Sequence, residues 1–176
     1  GGEDHWNQMG IAGGPAGIVD LFATGAPAWG QNGTYSGYLY GNAAVQLIDG
    51  WAARAKQRRE AKFFMYLPWH NTHDPLEAPD EYFYPPTCKD TYKARLTYNA
   101  MANSLDEGMG NVTAALKKGA LWEETLIVWS ADNGGWLRAT GSSNFPLRGG
   151  KVSDFEGGVR AGGGARLPAP RHHRHR

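Results

Sequence analysis

The sequence predicts an α/β fold, and three observations support that prediction. Two short apolar runs, residues 62–69 and 126–130, are continuous rather than alternating, as strands buried on both faces are. Each run follows a segment of helical periodicity, residues 38–59 and 91–118. Polar side chains come directly after each run, and ligand-binding groups of open α/β sheets lie just past the carboxyl ends of strands. The order of helix, strand, helix and strand therefore indicates a mixed, mostly parallel sheet.

The first half of the chain begins with a predicted loop and then a helix. Residues 1–34 are rich in Gly, Ala and Pro, with a short strand possible near residues 18–22. The helix over residues 38–59 is predicted from an apolar stripe that comprises Leu39, Ala43, Leu47, Ile48 and Trp51. Basic residues crowd its last turns, where they suit the helix dipole. We interpret them as a solvated helix end, because a nucleic-acid site needs more basic charge elsewhere.

The first apolar run, residues 62–69, is predicted to be a buried strand that leads to His70 and His73. Two histidines three residues apart can be metal ligands, a proton donor or structural side chains. Four prolines then keep residues 75–90 extended or turning. The helix over residues 91–118 has an apolar stripe that comprises Leu96, Met101, Leu105, Met109, Val112 and Leu116. Its end is marked by Lys117, Lys118 and Gly119.

The second run, residues 126–130, leads to Asp132, Asn133 and two glycines. A carboxylate beside a carboxamide offers the side-chain oxygens that a hard cation such as Ca²⁺ or Mg²⁺ prefers. The same residues are also common turn formers, so a plain turn is the alternative. If the two runs are neighbouring strands of one parallel sheet, His73 and Asp132 meet at its carboxyl edge.

Glycine-rich sequence follows and contains Lys151, which stands directly after two glycines. A lysine with so little cover can approach an anion closely, and a point charge with three donors suits sulfate or phosphate. An exposed surface lysine is the alternative. From residue 161 the composition becomes low in complexity, and residues 171–176 contain only Arg and His. We expect residues 161–176 to be a basic tail that is disordered or an artefact of the sequence.

Composition and charge exclude several classes of function. The 176 residues have a formal net charge of +1, so no charge excess indicates a nucleic-acid partner. No apolar run approaches the length of about 20 residues that a membrane helix requires. The first residues do not resemble a signal peptide, and we expect the chain to be an internal part of a longer protein. Cys88 is the only cysteine, and Asn32 and Asn111 are in glycosylation sequons.

Several blocks, taken in order, resemble the type I sulfatases of the alkaline phosphatase-like superfamily, specifically the arylsulfatase B-like group. The blocks are Gly2-Glu3-Asp4, the run from Phe63 through His73-Asp74-Pro75 to Pro79, the helix with Asn111-Val112-Thr113, the strand with Asp132-Asn133-Gly134-Gly135, and Pro146-Leu147-Arg148-Gly149 with Lys151 and Glu156-Gly157-Gly158-Val159-Arg160. The resemblance covers roughly residues 1–160, which we expect to be a partial sulfatase catalytic domain. It implies part of an α/β/α sandwich of the alkaline phosphatase and sulfatase type.

The resemblance also implies roles for single residues. Asp132 and Asn133 match two ligands of the family's active-site Ca²⁺. His73 and Lys151 match the pair that contacts the sulfate and its bridging oxygen. Such a cation and lysine would stabilise the equatorial oxygens of the transition state, and His73 or Lys151 would stabilise or protonate the leaving oxygen. His70 matches no functional position and is expected to be structural.

The sequence departs from the family pattern in ways that bear on activity. The family's nucleophile is a formylglycine made from the Cys of Cys-x-Pro-x-Arg, and no such motif occurs in these residues. Two protein oxygens are also too few for Ca²⁺, which takes 6–8 oxygen ligands. The resemblance implies part of a secreted, extracellular or lysosomal arylsulfatase. Because of the departures, we expect its nucleophile segment to lie elsewhere and the chain by itself to be inactive. Aromatic and carbohydrate sulfates both stay open as substrates. The alternatives are a phosphoesterase of the same superfamily and a noncatalytic sulfatase-like binding glycoprotein.

Overall fold

The computed structural model describes residues 5–6, 21–56, 62–84, 92–137 and 141–168. The chain divides into two units, which we describe separately. Unit 1 comprises Gly1–Gln46 with Phe64–Val112, and unit 2 comprises Leu47–Phe63 with Thr113–Arg176. Among the described residues, no helix is both long and apolar enough to cross a membrane.

A small hairpin lies within the segment that the sequence predicts to be loop. Strand β1 (Phe22–Ala23) pairs antiparallel with β2 (Ala26–Pro27). The two residues between them, Thr24 and Gly25, have φ angles of 52° and 81°. Two consecutive positive φ angles are what a type I′ hairpin turn requires, and Gly supplies the second without steric cost. The strand expected near residues 18–22 lies mostly outside the described residues.

Helix α1 (Ser36–Ala55) confirms the first predicted helix, although its buried face differs from the predicted stripe. Ala44, Ile48 and Ala52 are buried, whereas Leu47 is 61% exposed. Small residues suit the buried face because the backbones approach closely: an ideal Cβ on Gly41 would lie 4.0 Å from the Gly108 Cα. The prediction that Leu47 belongs to the buried stripe is therefore wrong, whereas the same prediction for Ile48 is correct.

Helix α2 (Lys93–Lys118) confirms the second predicted helix to within two residues. Met101, Val112 and Leu116 of the predicted stripe are buried. The helix ends in a Schellman motif, in which the Leu121 N–H donates to the Leu116 carbonyl at 2.9 Å. The left-handed position of this motif is Ala120, with a φ of 57°, and not the predicted Gly119.

The two predicted strands are less regular and less buried than the sequence indicates. Strand β3 (Ile127–Ser130) forms, but Val128 is 68% exposed and Trp129 is 54% exposed. Residues 62–69 form no assigned strand, and their side chains alternate between exposed and half-buried, with Phe64 91% exposed. The prediction that both runs are buried on both faces is wrong for the described residues, because a strand acquires that environment only from neighbouring strands and covering helices.

Strand β3 pairs antiparallel with β4 (Gly163–Arg166), and the register places Ile127 opposite Arg166. The Arg166 side chain donates to the Thr125 carbonyl at 3.1 Å and contacts the Glu123 carboxylate at 3.1 Å. Four residues of the segment that we expect to be disordered or an artefact, Gly163–Arg166, thus form a strand, because a backbone ladder needs no apolar side chains. The domain boundary at residue 160 stays a prediction, and residues 169–176 lie outside the described residues. Both described strand pairs are antiparallel.

Candidate active site

His73, the first predicted site residue, lies in an exposed turn of unit 1. Its N–H donates to the His70 carbonyl at 2.8 Å, which closes the turn. Its ring Nδ1 lies 2.6 Å from the Asp74 carbonyl oxygen. A carbonyl oxygen can only accept, so Nδ1 carries a proton and donates it. Any hydrogen bond that the ring donates to a further acceptor must therefore come from Nε2, and the ring must then be protonated on both nitrogens.

A buried histidine that the sequence analysis did not single out holds this turn in place. His5 is 3% exposed, and its Nε2 lies 3.1 Å from the His73 carbonyl oxygen. Its Nδ1 lies 3.0 Å from the Ser36 hydroxyl at the start of α1, and its backbone N–H donates to the Glu77 carboxylate at 2.9 Å. His5 thus connects the beginning of α1 to both ends of the segment 73–77. Its local sequence does not mark it, because its ring partners lie 31 and 68 residues away along the chain.

Two further side chains tie the same segment to the core of unit 1. The Asn71 amide donates to the Met101 carbonyl and to the Ser104 hydroxyl, both at 2.8 Å. The Tyr35 hydroxyl donates to the Glu77 carbonyl at 3.0 Å, and burial raises the pKa of this tyrosine. His70, expected to be structural, contacts the Tyr40 hydroxyl through Nε2 at 3.2 Å. The exposed His73 ring is consequently presented by a well-anchored backbone.

Asp132 and Asn133 lie in unit 2, in the loop that follows β3. Asp132 is exposed and Asn133 is half-buried. The Asn133 Nδ2 donates to the Gly134 carbonyl at 2.9 Å, so its Oδ1 is the side-chain atom that can ligate a cation. The Gly134 N–H donates to the Gly158 carbonyl at 2.8 Å, which joins this loop to helix α3 (Glu156–Val159).

The loop is held by contacts that only glycine permits. An ideal Cβ on Gly134 would lie 1.7 Å from the Gly157 carbonyl oxygen. A Cβ on Gly157 would lie 2.2 Å from the Gly149 carbonyl oxygen, and one on Gly150 would lie 2.6 Å from the Gly135 carbonyl oxygen. Real Cβ atoms essentially never approach within 3.0 Å. The three glycine-rich segments, residues 134–135, 149–150 and 157–158, therefore interlock backbone against backbone; we call them the glycine interlock.

One side chain, Asn144, connects two parts of the interlock. Its Oδ1 accepts from the Gly135 N–H at 2.8 Å, and its Nδ2 donates to the carbonyls of Gly135 and Gly149 at 2.9 and 3.1 Å. The next residue along from the interlock, Lys151, donates its backbone N–H to the same Gly135 carbonyl at 3.1 Å. The structure thus joins the Lys151 backbone directly to the loop that bears Asp132 and Asn133. That His73 and Asp132 lie together at the carboxyl edge of one sheet stays a prediction.

The oxygens of Asp132 and Asn133 suit Ca²⁺ in type but not in number. Ca²⁺ takes 6–8 oxygen ligands. Within the part of the chain that the structure describes, no three His, Cys, Asp or Glu residues gather as a metal cluster. These two residues therefore fit part of a calcium site that needs further ligands. Both sequon residues, Asn32 and Asn111, are exposed, and their glycosylation stays a prediction; Cys88 lies outside the described residues.

An α/β chain that interlocks loops bearing a carboxylate, a carboxamide and a lysine has groups for both a cation and an anion. Comparison with known proteins identifies its class. The sulfatase family model matches residues 11–162, and the chain belongs to this family. Arylsulfatase J of Mus musculus is 36% identical over 155 residues, which cover 85% of this chain and 24% of that protein. Arylsulfatase A of Homo sapiens is 32% identical over 109 residues, which cover 59% of this chain and 20% of that protein.

The chain therefore spans about a quarter or less of the length of these curated relatives. Among solved structures, that of Ps i-CgsB has a TM-score of 0.73 and 33% identity, covering 89% of this chain and 34% of its own. The structure of Ps i-CgsB in complex with k-i-k-neocarrahexaose has a TM-score of 0.71 and 34% identity, covering 82% and 30%. The family match and these neighbours confirm the predicted fold class, a partial α/β fold of the alkaline phosphatase and sulfatase type.

Proposed function

We propose that this chain is part of the catalytic domain of an arylsulfatase-like enzyme that hydrolyses sulfate esters. The observation that supports this most is the match of the sulfatase family model over residues 11–162. The glycine interlock adds a physical argument, because it joins the Lys151 backbone to the loop of Asp132 and Asn133 through Gly135. A lysine beside a cation-binding loop is a suitable arrangement for a tetrahedral anion.

Each site residue has a defined task in this proposal. Lys151 neutralises charge on the sulfate oxygens, which grows toward the leaving oxygen as the ester bond breaks. His73 reaches a sulfate oxygen through Nε2, because Nδ1 already donates to the Asp74 carbonyl. Sulfate oxygens only accept, so His73 contributes as the doubly protonated ring and also supplies a proton for the leaving group.

Asp132 and Asn133 would hold a Ca²⁺ ion together with ligands from outside the described residues. Such an ion polarises the sulfur centre as a Lewis acid. The nucleophile would be a formylglycine from sequence outside these 176 residues, since no Cys-x-Pro-x-Arg occurs in them. We further propose that the protein is secreted, extracellular or lysosomal and carries glycans on Asn32 and Asn111.

For the substrate, we propose a carbohydrate sulfate rather than a simple aromatic one. One structural neighbour was solved with an oligosaccharide, k-i-k-neocarrahexaose. Another relative is the N-acetylgalactosamine-6-sulfatase of Rattus norvegicus, which is 27% identical over 110 residues that cover 61% of this chain. Arylsulfatases are relatives as well, so aryl sulfates are useful as general probes of the reaction.

The proposal is tested with the full-length protein, by measuring inorganic sulfate released from an aryl sulfate and from a sulfated oligosaccharide. Lys151→Ala is expected to lower kcat/KM by about 10²–10³-fold, the loss seen when one stabilising donor is removed from a transition state. Lys56→Ala is the matched control, because Lys56 is an exposed lysine of the same unit. An aryl phosphate is assayed in parallel: release of phosphate from it without release of sulfate from the sulfate esters would favour the phosphoesterase alternative, and release of neither would favour a noncatalytic binding protein.

The calcium part is tested separately from turnover. Asp132→Asn removes one charged oxygen from the proposed ligand set and is expected to weaken Ca²⁺ binding in calorimetric titrations. Asp106→Asn is the control, because Asp106 is an exposed aspartate on α2. Equal Ca²⁺ affinity in the Asp132 variant and the unmodified protein would remove Asp132 from the site.

A further inference from the structure

We propose that an open groove in unit 1 binds an uncharged sugar ring of the substrate, next to the sugar that carries the sulfate. This inference rests on the proposed function, because it assigns a second subsite to the same reaction. The groove has a volume of about 380 Å³ and is lined by Trp6, Tyr38, Ala78, Pro79, Asp80 and Glu81. That volume is at the lower end for small-molecule sites, which suits a small ring rather than a long segment.

The groove is built on the segment that presents His73. Four of its lining residues, 78–81, follow the anchored segment 73–77 directly in the chain. Trp6 follows His5, whose ring lies 3.1 Å from the His73 carbonyl oxygen. The Trp6 carbonyl also accepts from the Gly33 N–H at 2.8 Å, which anchors this end of the groove. A sugar that contacts Trp6 would therefore lie near the turn that bears His73, the proposed sulfate contact.

The aromatic side chains of the groove pack against buried tyrosines. Trp6 packs against Tyr35 with ring centroids 5.3 Å apart, and Tyr35 packs against Tyr38 at 5.6 Å. The ring centroids of Tyr38 and Tyr82 are 6.2 Å apart. Tyr35 and Tyr82 are buried, at 0% and 4% exposure, so the half-buried rings of Trp6 and Tyr38 pack against side chains of the core. Flat, amphipathic rings that are already ordered offer contact area at little cost in conformational entropy.

The polar groups of the groove select for hydroxyl groups and against sulfate. The Tyr38 hydroxyl donates to the Glu81 carboxylate at 2.6 Å, which orients that carboxylate and lowers the pKa of Glu81. Burial raises the pKa of Tyr38, so this hydroxyl keeps its proton. Ionised carboxylates on Asp80 and Glu81 only accept, and sugar hydroxyls can donate to them. A second sulfate in this position would meet two like charges, so the groove fits an unsulfated ring.

The test uses the full 176-residue chain labelled with ¹⁵N at tryptophan, and it reads the indole N–H resonance of Trp6. The variant Trp6→Phe assigns this resonance among the seven tryptophans. The probes are methyl β-D-galactoside and its 6-sulfate, each titrated to roughly 10 mM, ten times the Kd of a weak site of about 1 mM. The neutral galactoside is expected to shift the Trp6 resonance at lower concentration than the sulfated one.

The double variant Asp80→Asn with Glu81→Gln tests the role of charge. It is expected to weaken binding of the neutral galactoside about tenfold, because Asn and Gln still accept a hydrogen bond but lose the additional strength of a charged acceptor. It is also expected to reduce the discrimination against the sulfated probe. The control Asp106→Asn, an exposed aspartate of the same unit, is expected to change neither. Because both substituted groove residues are exposed, thermal melts should show an unchanged fold.

Three results would overturn the inference: a Trp6 resonance that the neutral galactoside does not shift, equal or stronger binding of the sulfated probe, and an unchanged affinity in the double variant. None of these bears on sulfate release from an aryl sulfate, which contains no sugar. A result that excludes sugar binding in the groove can therefore be distinguished from one that excludes the proposed sulfatase function.

Discussion

Replacing Gly134 with alanine is a severe test of the glycine interlock. The new Cβ would lie 1.7 Å from the Gly157 carbonyl oxygen, whereas real Cβ atoms essentially never approach within 3.0 Å. Either the Gly134 backbone or the Gly157 backbone must move by at least about 1.3 Å, because a contact with a backbone atom cannot be relieved by a change of rotamer. A shift of that size breaks the bonds from Gly134 to Gly158 and from Gly157 to Arg148, both 2.8 Å long.

The cost follows from these two bonds. Each buried backbone group left without a partner costs about 1–3 kcal/mol. We therefore expect Gly134→Ala to lower the free energy of unfolding by roughly 2–6 kcal/mol, or to detach the loop of Asp132 and Asn133 from α3 if the rest of unit 2 stays folded. Urea unfolding measures the first outcome, and hydrogen exchange at the Gly134 and Gly158 amides measures the second.

Gly110→Ala is the matched control. Gly110 is an exposed glycine in α2, and a Cβ there would meet nothing within 4 Å. This substitution is expected to raise stability by up to about 1 kcal/mol, the difference in helix propensity between Gly and Ala. If Gly134→Ala instead leaves both the unfolding free energy, within about 0.5 kcal/mol, and amide protection unchanged, the interlock described above is wrong.

Four further predictions follow from contacts elsewhere in the chain. His5→Ala should cost about 2–4 kcal/mol in urea unfolding, because it leaves a cavity and removes both ring hydrogen bonds; an effect below 1 kcal/mol, roughly that of a surface site, would contradict the anchoring role. Ala120→Gly should raise the melting temperature, because Ala120 has a φ of 57° and glycine relieves about 1 kcal/mol there; a lower melting temperature would count against the Schellman assignment. Burial raises the pKa of Tyr35 above the usual value, so the stability that the neutral tyrosine contributes is present below about pH 10 and is lost as pH rises above it. Tyr35→Phe should flatten this alkaline loss in urea midpoints, and an equally steep loss in the variant would exclude Tyr35 as its cause. Phe64 is 91% exposed, so we expect it to promote self-association of the 176-residue chain; Phe64→Lys should then lower the sedimentation coefficient at high concentration without lowering stability, and an unchanged sedimentation profile would contradict this expectation.

Long periodic segments were the most predictable part of the fold. Both helices are found where the sequence predicts them, because their periodicity extends over 20 and 26 residues. The buried face of α1 was less predictable, since Leu47 is exposed while Ala44 is buried. Hydrophobicity ranks leucine above alanine, but the close approach of Gly41 to Gly108 favours small residues. That approach is a tertiary contact, and no local pattern encodes it.

Strand burial was predicted poorly for a related reason. An apolar run indicates an environment that other segments must provide, and Phe64 and Val128 are exposed in the described residues. Strand β4 was missed for the opposite reason. Its Gly-Gly-Ala-Arg sequence has no apolar pattern, yet its backbone pairs with β3 and its Arg166 side chain caps the carbonyl of Thr125. Backbone pairing is largely independent of side-chain pattern, so composition alone indicated disorder.

The candidate site divides into residues that composition reveals and residues that only the fold reveals. Asn133 and Lys151 stand out because each is a polar side chain next to glycines, and Asp132 stands out because it directly precedes Asn133 in the same recognisable block. His5 and Asn144 do not stand out, because their partners are 31 to 68 and 5 to 9 residues away along the chain. A buried histidine and an ordinary loop asparagine carry no local sign of such distant partners.

The polar residues and the glycines of the candidate site should respond differently to substitution. The proposed chemical groups are exposed or half-buried, as Asp132, Asn133 and Lys151 are, so their removal exposes no cavity. The groups that position them are backbone atoms packed too closely for any Cβ, as at Gly134 and Gly157. Chemistry and stability therefore depend on different residues within a few positions of each other. We expect the loss of a side chain in the first set to lower the proposed activity while the protein stays folded, and we expect a single added methyl group in the second set to displace the loop that bears Asp132 and Asn133.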